Sequence, residues 1–91
     1  MIYIKVKWKH SNPDYPVLLL SELDRERWEV RKVDIFPDGR MGYAGPGIAV
    51  GGTELGLVPT PPLEQIAEEP QFEPETISKA EFEKIWSKAV G

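Results

Sequence analysis

The sequence predicts an α+β fold: a twisted, mainly antiparallel four-stranded sheet, a C-terminal helix packed on one face, and a long ordered Gly/Pro-rich loop region. Three observations lead there. Residues 2–9 alternate between apolar and polar side chains with period two, the pattern of a half-buried strand. Apolar residues from Phe82 onward recur at helical spacing. Between these ends, Pro37 to Pro74 holds seven glycines and seven prolines in 38 residues, yet still carries many large apolar side chains. With 91 residues and 41% hydrophobic content, one domain over 1–91 with one core is expected.

In the first strand Ile2, Ile4, Val6 and Trp8 share one parity, and Tyr3, Lys5, Lys7 and Lys9 share the other. The first set is expected inside and the second in water. Ser11 to Pro16 is turn chemistry, with two prolines lacking donors and Asn12 and Asp14 able to bond their own backbone. Val17 to Leu20 is continuously apolar, which predicts a central strand covered on both faces. Trp28 to Phe36 reads as a third strand with an irregularity. Trp28 and Val30 share one parity and Val33 and Ile35 the other, so a β-bulge near Arg31-Lys32 would restore a single apolar face. Pro37-Asp38-Gly39-Arg40 is a hairpin turn, after which Met41 to Ala44 returns as the fourth strand.

The Gly/Pro-rich stretch is expected to loop over the sheet, because Tyr43, Ile48, Val50, Leu55, Leu57, Val58, Leu63, Ile66 and Phe72 are more large apolar side chains than a disordered linker would carry. Thr60-Pro61-Pro62 opens a short helix reaching about Glu69, and Pro70 closes it. Ser78 and Glu81 form a capping box, flanked by Ile77 and Phe82 as its hydrophobic staple. Phe82, Ile85, Trp86, Ala89 and Val90 then make the stripe that faces the core, and Gly91 ends the helix. Trp8, Trp28 and Trp86 lie on apolar parities; Trp8 and Trp86 are expected in the core.

Composition narrows the chemistry. No cysteine is present, which removes disulfides, thiolate nucleophiles and cysteine-ligated metals. His10 is the one histidine, and its strand-end position suits a surface or capping role better than that of a general base. Gly47, four residues, Gly52 and Thr53 resemble a phosphate loop without its lysine, and Gly45 to Gly51 miss the dinucleotide spacing by one residue. The glycines read as turn formers. No cofactor and no metal ligand set is expected, and no catalytic residue is assigned. No apolar run is long enough to span a membrane and no secretory leader precedes the first strand, so a cytoplasmic protein is expected.

Charge is the informative feature. Residues 1–52 carry eight bases and seven acids, a net of +1, whereas residues 53–91 carry three bases and eight acids, a net of −5. No lysine or arginine occurs between Met41 and Ser78, where Glu54, Glu64, Glu68, Glu69, Glu73 and Glu75 lie. Such a surface suits docking to a basic partner, whose approach it would steer. Glu22, Asp24, Glu29, Asp34 and Asp38, on the wet faces and turns of the sheet, are expected to extend it. A second reading uses Tyr3, Lys5, Lys7, Lys9, Arg31 and Lys32 as a face for single-stranded nucleic acid. The same lysine row is also what guards an edge strand against pairing with a second copy, so a homo-oligomer stays open. A third reading is an enzyme with carboxylate-only chemistry, for which Glu22 and Asp24 are two apart on a strand.

The segments YIKVKW, SELDRERWEVRKVDIFPDGRMGYA, GGTELG and ISKAEFEKIW resemble, in this order and over nearly the whole chain, a small bacterial domain-of-unknown-function family of about ninety residues. The resemblance implies a cytosolic single-domain protein and transfers no catalytic residue. Compact acidic proteins of this kind are often immunity partners of toxins. The expectation is therefore a non-enzymatic protein-binding domain, an immunity- or antitoxin-like inhibitor blocking a basic toxin surface with its acidic loop region.

Overall fold

The computed structural model describes residues 1–91. Its centre is an antiparallel sheet of six strands rather than the expected four. They are β1 (Ile2–Trp8), β2 (Leu18–Leu23), β3 (Glu29–Ile35), β4 (Met41–Gly45), β5 (Ile48–Val50) and β6 (Phe72–Thr76), with spatial order β5-β4-β3-β2-β1-β6. A single-turn helix α1 (Leu63–Ile66) precedes β6, and the helix α2 (Lys79–Val90) follows it. No helix is long and apolar enough to cross a membrane.

The two additional strands come from the stretch read as loop. Pro46 and Gly47 form a two-residue turn, Gly47 at φ 75°, which folds β5 back so that Ile48 pairs with Gly45. β6 pairs with β1 from Ile4↔Thr76 to Trp8↔Phe72 and carries Pro74, which an edge strand tolerates because its outer side needs no donor. Consequently β1 is an interior strand, not the lysine-guarded edge. Pairing residues some 70 positions apart is a long-range event that local pattern does not encode.

The bulge exists, slightly earlier than expected. Glu22 pairs with Arg31 while Leu23 pairs with Glu29, which leaves Val30 as the extra residue. It places Arg31, Val33 and Ile35 toward one face and Lys32 and Asp34 toward the other. Trp28 falls outside the strand and is 40% exposed.

Both faces of the sheet are covered, and each has its own core. On the helix side, Tyr3, Leu20 and Val33 pack with Ile77 and Phe82, joined by Ile85, Trp86 and Ala89 of α2. Val90, expected in that stripe, is instead exposed at the helix end. On the other side, Ile4, Val6 and Leu23 pack with Leu19, Leu63, Ile66 and Phe72. The segment from Thr53 to α1 supplies that second cover, as the expectation of an ordered loop over the sheet required. The residues after α1 tighten into bonds of i→i−3 type, Glu68 to Gln65 and Glu69 to Ile66, so the expected helix is only one turn long.

At α2 the Ser78 side chain accepts from the Glu81 amide at 3.0 Å, the first half of the capping box. The reciprocal half is replaced by a tertiary contact, because the Glu81 carboxylate takes the Lys5 ammonium at 3.2 Å.

Candidate functional site

The basic row of β1 does not form an open face. Tyr3 is buried under α2, where its hydroxyl donates to Glu22 Oε2 at 2.7 Å. Lys5 lies 3.0 Å from Glu75 and Lys9 lies 3.2 Å from Glu73, both on the adjacent β6. These pairs follow from register, since Lys5 faces Glu75 across the strands. Arg31 is half-buried on the helix side and Lys32 points to the opposite side. Of the six residues assigned to a nucleic-acid face, Lys7 alone combines exposure with freedom from an ion pair.

The acidic set divides in the same way. Glu22 and Asp34 are buried, not wet, because each sheet face is covered. Asp24 and Asp38 fold their carboxylates onto their own turns: Asp24 Oδ1 accepts from the amides of Glu26 and Trp28, and Asp38 Oδ1 from that of Arg40. Glu22 and Asp24 therefore do not converge as a catalytic pair. Glu73 and Glu75 are spent on lysines. Glu54, Glu64, Glu68 and Glu69 remain, all exposed and none in an ion pair.

His10 closes a turn. The Asn12 amide donates to Nδ1 at 3.0 Å, which puts the ring proton on Nε2, and Nε2 donates to the Pro16 carbonyl at 2.8 Å. The ring also packs edge-on against Trp8, 4.5 Å between centroids. With both nitrogens committed, it holds the β1–β2 connection. Trp8, half-buried between Tyr15 and Phe72, completes this end of the sheet.

Beneath α2 lies an internal polar network. Arg31 donates Nε to Glu22 Oε1 at 2.6 Å and Nη2 to Glu22 Oε2 at 2.9 Å. The same guanidinium reaches both oxygens of Glu83, at 3.0 and 2.7 Å. Its carbon sits 5.0 Å from the ring centres of Phe82 and Trp86. The Arg31 bonds hold the Glu22 carboxyl below its ordinary range, against the effect of its burial. Glu83 is likewise lowered by Arg31, and the Tyr3 hydroxyl is raised by its bond to Glu22. Every group here is satisfied, which describes a brace between sheet and helix rather than a reactive centre.

The opposite face is less complete. A cleft of about 220 Å³ opens between the sheet and the segment carrying α1. Ile4, Val6, Leu19, Ile66 and Phe72 form its apolar wall, and Ser21, Glu29, Lys32 and Thr60 its polar side. Deeper on this face Asp34 accepts from the Thr53 hydroxyl at 3.0 Å, but its Oδ1 is buried without a partner. Burial pushes the Asp34 carboxyl above its ordinary range. Thr53 fits there because Gly42 opposite has no side chain; a Cβ would collide with the Thr53 hydroxyl.

The covering segment is clamped by Arg27, for which the sequence suggested no role, and by Glu29, expected on the wet acidic surface but with a side chain only 10% exposed because the segment covers it. Glu29 Oε1 accepts from the Gly56 amide at 2.5 Å. The Arg27 side chain donates to the carbonyls of Thr60 and Pro61, each at 2.7 Å, and the Arg27 carbonyl accepts from the Thr60 amide at 2.7 Å. Arg27 does this at φ 72°, a conformation costly for a residue with a Cβ. Between the clamps, Leu57 is 91% and Val58 69% exposed, so these two do not pack over the sheet with the other apolar residues of the segment, because the clamps hold the chain out between them. Thr60-Pro61-Pro62 at the second clamp was legible as the opening of a short helix; the arginine that grips Thr60 and Pro61 was not, since its partners lie 33 and 34 residues away.

No curated protein and no solved structure matches the chain. Over residues 2–91 the sequence matches the family model described as Domain of unknown function (DUF6881), and the chain belongs to that family.

Proposed function

We propose that this protein is a non-enzymatic protein-binding domain of the immunity or antitoxin kind, which blocks a basic toxin surface through its segment 53–69. One observation carries the reading. A segment fastened at Thr53, Gly56, Thr60 and Pro61 presents Leu57 and Val58 to solvent instead of folding them inward. Large apolar side chains held out on an ordered crest gain nothing in the free protein and gain most when a partner covers them. Trp28 stands between the two residues that clamp the crest, and four unpaired glutamates, Glu54, Glu64, Glu68 and Glu69, supply charge for a basic rim. Holding the crest in place before contact lowers the ordering cost of association.

The test is co-expression of this chain with the product of the gene directly upstream, followed by titration calorimetry of the purified pair. Rescue from toxicity and a stable complex are expected. Leu57→Asp should weaken the complex by about 2 kcal/mol or more, while leaving the unfolding free energy within about 0.5 kcal/mol. Joint reversal of Glu64, Glu68 and Glu69 to lysine should slow association most strongly at low salt. Absence of any complex, or one indifferent to both changes, overturns the reading.

A further inference from the structure

The cleft on the face away from α2 lies beneath the docking segment, sharing Thr60 and Ile66 with it but not the exposed Leu57 and Val58, and the hydrogen-bonding capacity at its polar side is unevenly used. Both Glu29 oxygens are engaged: Oε1 accepts from the Gly56 amide and Oε2 from the Ser21 hydroxyl at 3.3 Å. Asp34, the other carboxylate on this face, is not part of the cleft wall, and its Oδ2 is taken by Thr53. Lys32 differs. Its side chain is only 18% exposed, yet its ammonium donates no hydrogen bond and sits 3.8 Å from the nearest carboxylate oxygen, Glu29 Oε2. An ammonium has three donors, and this one, at the end of a largely covered side chain with Glu29 as its only nearby charge partner, keeps donor capacity for an acceptor that enters the cleft.

We propose that this cleft binds a small free monocarboxylate, its apolar body against Ile4, Val6, Leu19, Ile66 and Phe72 and its carboxylate on Lys32. The volume sets the size. An apolar cavity of roughly 150 Å³ accommodates benzene, so about 220 Å³ takes a body of six to eight carbon atoms and excludes most cofactors. The charge sets the sign. An amine's charge would repel Lys32, and the Glu29 oxygens it could approach already accept from Gly56 and Ser21. A carboxylate supplies two acceptor oxygens and forms a charge-assisted bond in a partly dry setting.

Titrating isotope-labelled protein with hexanoate, hexylamine and hexan-1-ol, and following amide chemical shifts, tests this on the unmodified chain. Hexanoate is expected to shift Val6, Leu19, Ile66 and Phe72 saturably, binding about tenfold more tightly than either of the others. Lys32→Gln should reduce hexanoate to the level of hexan-1-ol, and Lys32→Arg should keep most of the preference. No shifts at the cleft with hexanoate, or equal binding of hexylamine, overturns the proposal. Tighter binding of N-acetylglycyl-leucine than of hexanoate also overturns it, by making the site a receptor for a chain terminus. Leu57→Asp, which breaks the docking surface, should leave hexanoate binding unchanged, so the two proposals fail separately.

Discussion

Arg31 and Lys32 are neighbours on β3 and point to opposite faces of the same sheet, where they meet very different surroundings. On the helix side Arg31 spends its planar fork on two carboxylates and stacks over two aromatic rings. On the loop side Lys32 has one distant carboxylate and an open cleft. The helix side is closed by a twelve-residue helix that brings Glu83 and Phe82 in fixed geometry. The loop side is closed by a segment with a single helical turn, held by a few hydrogen bonds. The two side chains are equally exposed, at 18%, so bonding and not burial separates them: a charge with every bond made is architecture, and one with bonds unmade beside a cleft has room for a ligand.

The largest effect expected from this contrast is Arg31→Ala, which strands Glu22 in the core and should cost about 3–5 kcal/mol in urea unfolding. Lys32→Ala, one residue away, should cost less than about 1 kcal/mol. Equal losses would break the distinction between the faces.

A pH series sharpens it further. Glu22 has a folded pKa below its unfolded one, so its contribution is present above the unfolded carboxylate pKa and disappears as pH falls through the folded value. Asp34 has a folded pKa above its unfolded one, so its ionisation removes stability as pH rises through the folded value. Glu22→Gln should therefore lower the thermal midpoint at neutral pH, and Asp34→Asn should raise it. Both should converge on the parent as the carboxyls protonate below about pH 4. A shift of the same sign for both variants would contradict the assignment of one satisfied and one orphaned carboxylate.

The smallest global effect is expected for Arg27→Ala. Loss of the clamp should speed hydrogen exchange at Gly56 and Thr60 while leaving β2 and β3 amides protected. Unchanged exchange at those two positions would show that the crest is held by other means.

Local chemistry announced much of this architecture. The Asp38-Gly39 turn, the parity break that required a bulge near Arg31, the Ser78 cap and the apolar stripe from Phe82 to Ala89 all depend on residues within a turn or two of each other. Hairpin pairing of β1 through β4 follows from short connections. The α+β class was therefore legible, and so was the ordered segment over the sheet. Tyr3, Glu22 and Asp34 were misplaced as wet or surface residues because alternation tells only that two faces differ, not that both are covered.

What remained for the tertiary structure was decided by partners distant in sequence. Glu73 and Glu75 became cross-strand mates of the lysine row only when β6 joined β1, and Glu81 left its capping box for Lys5, 76 residues away. The acidic region was thereby reduced to Glu54, Glu64, Glu68 and Glu69, exposed on the same segment as Leu57 and Val58. A sequence specifies how many charges a segment has. Which of them stay free depends on what the fold brings within about 4 Å, because Coulomb attraction and desolvation change steeply over that distance.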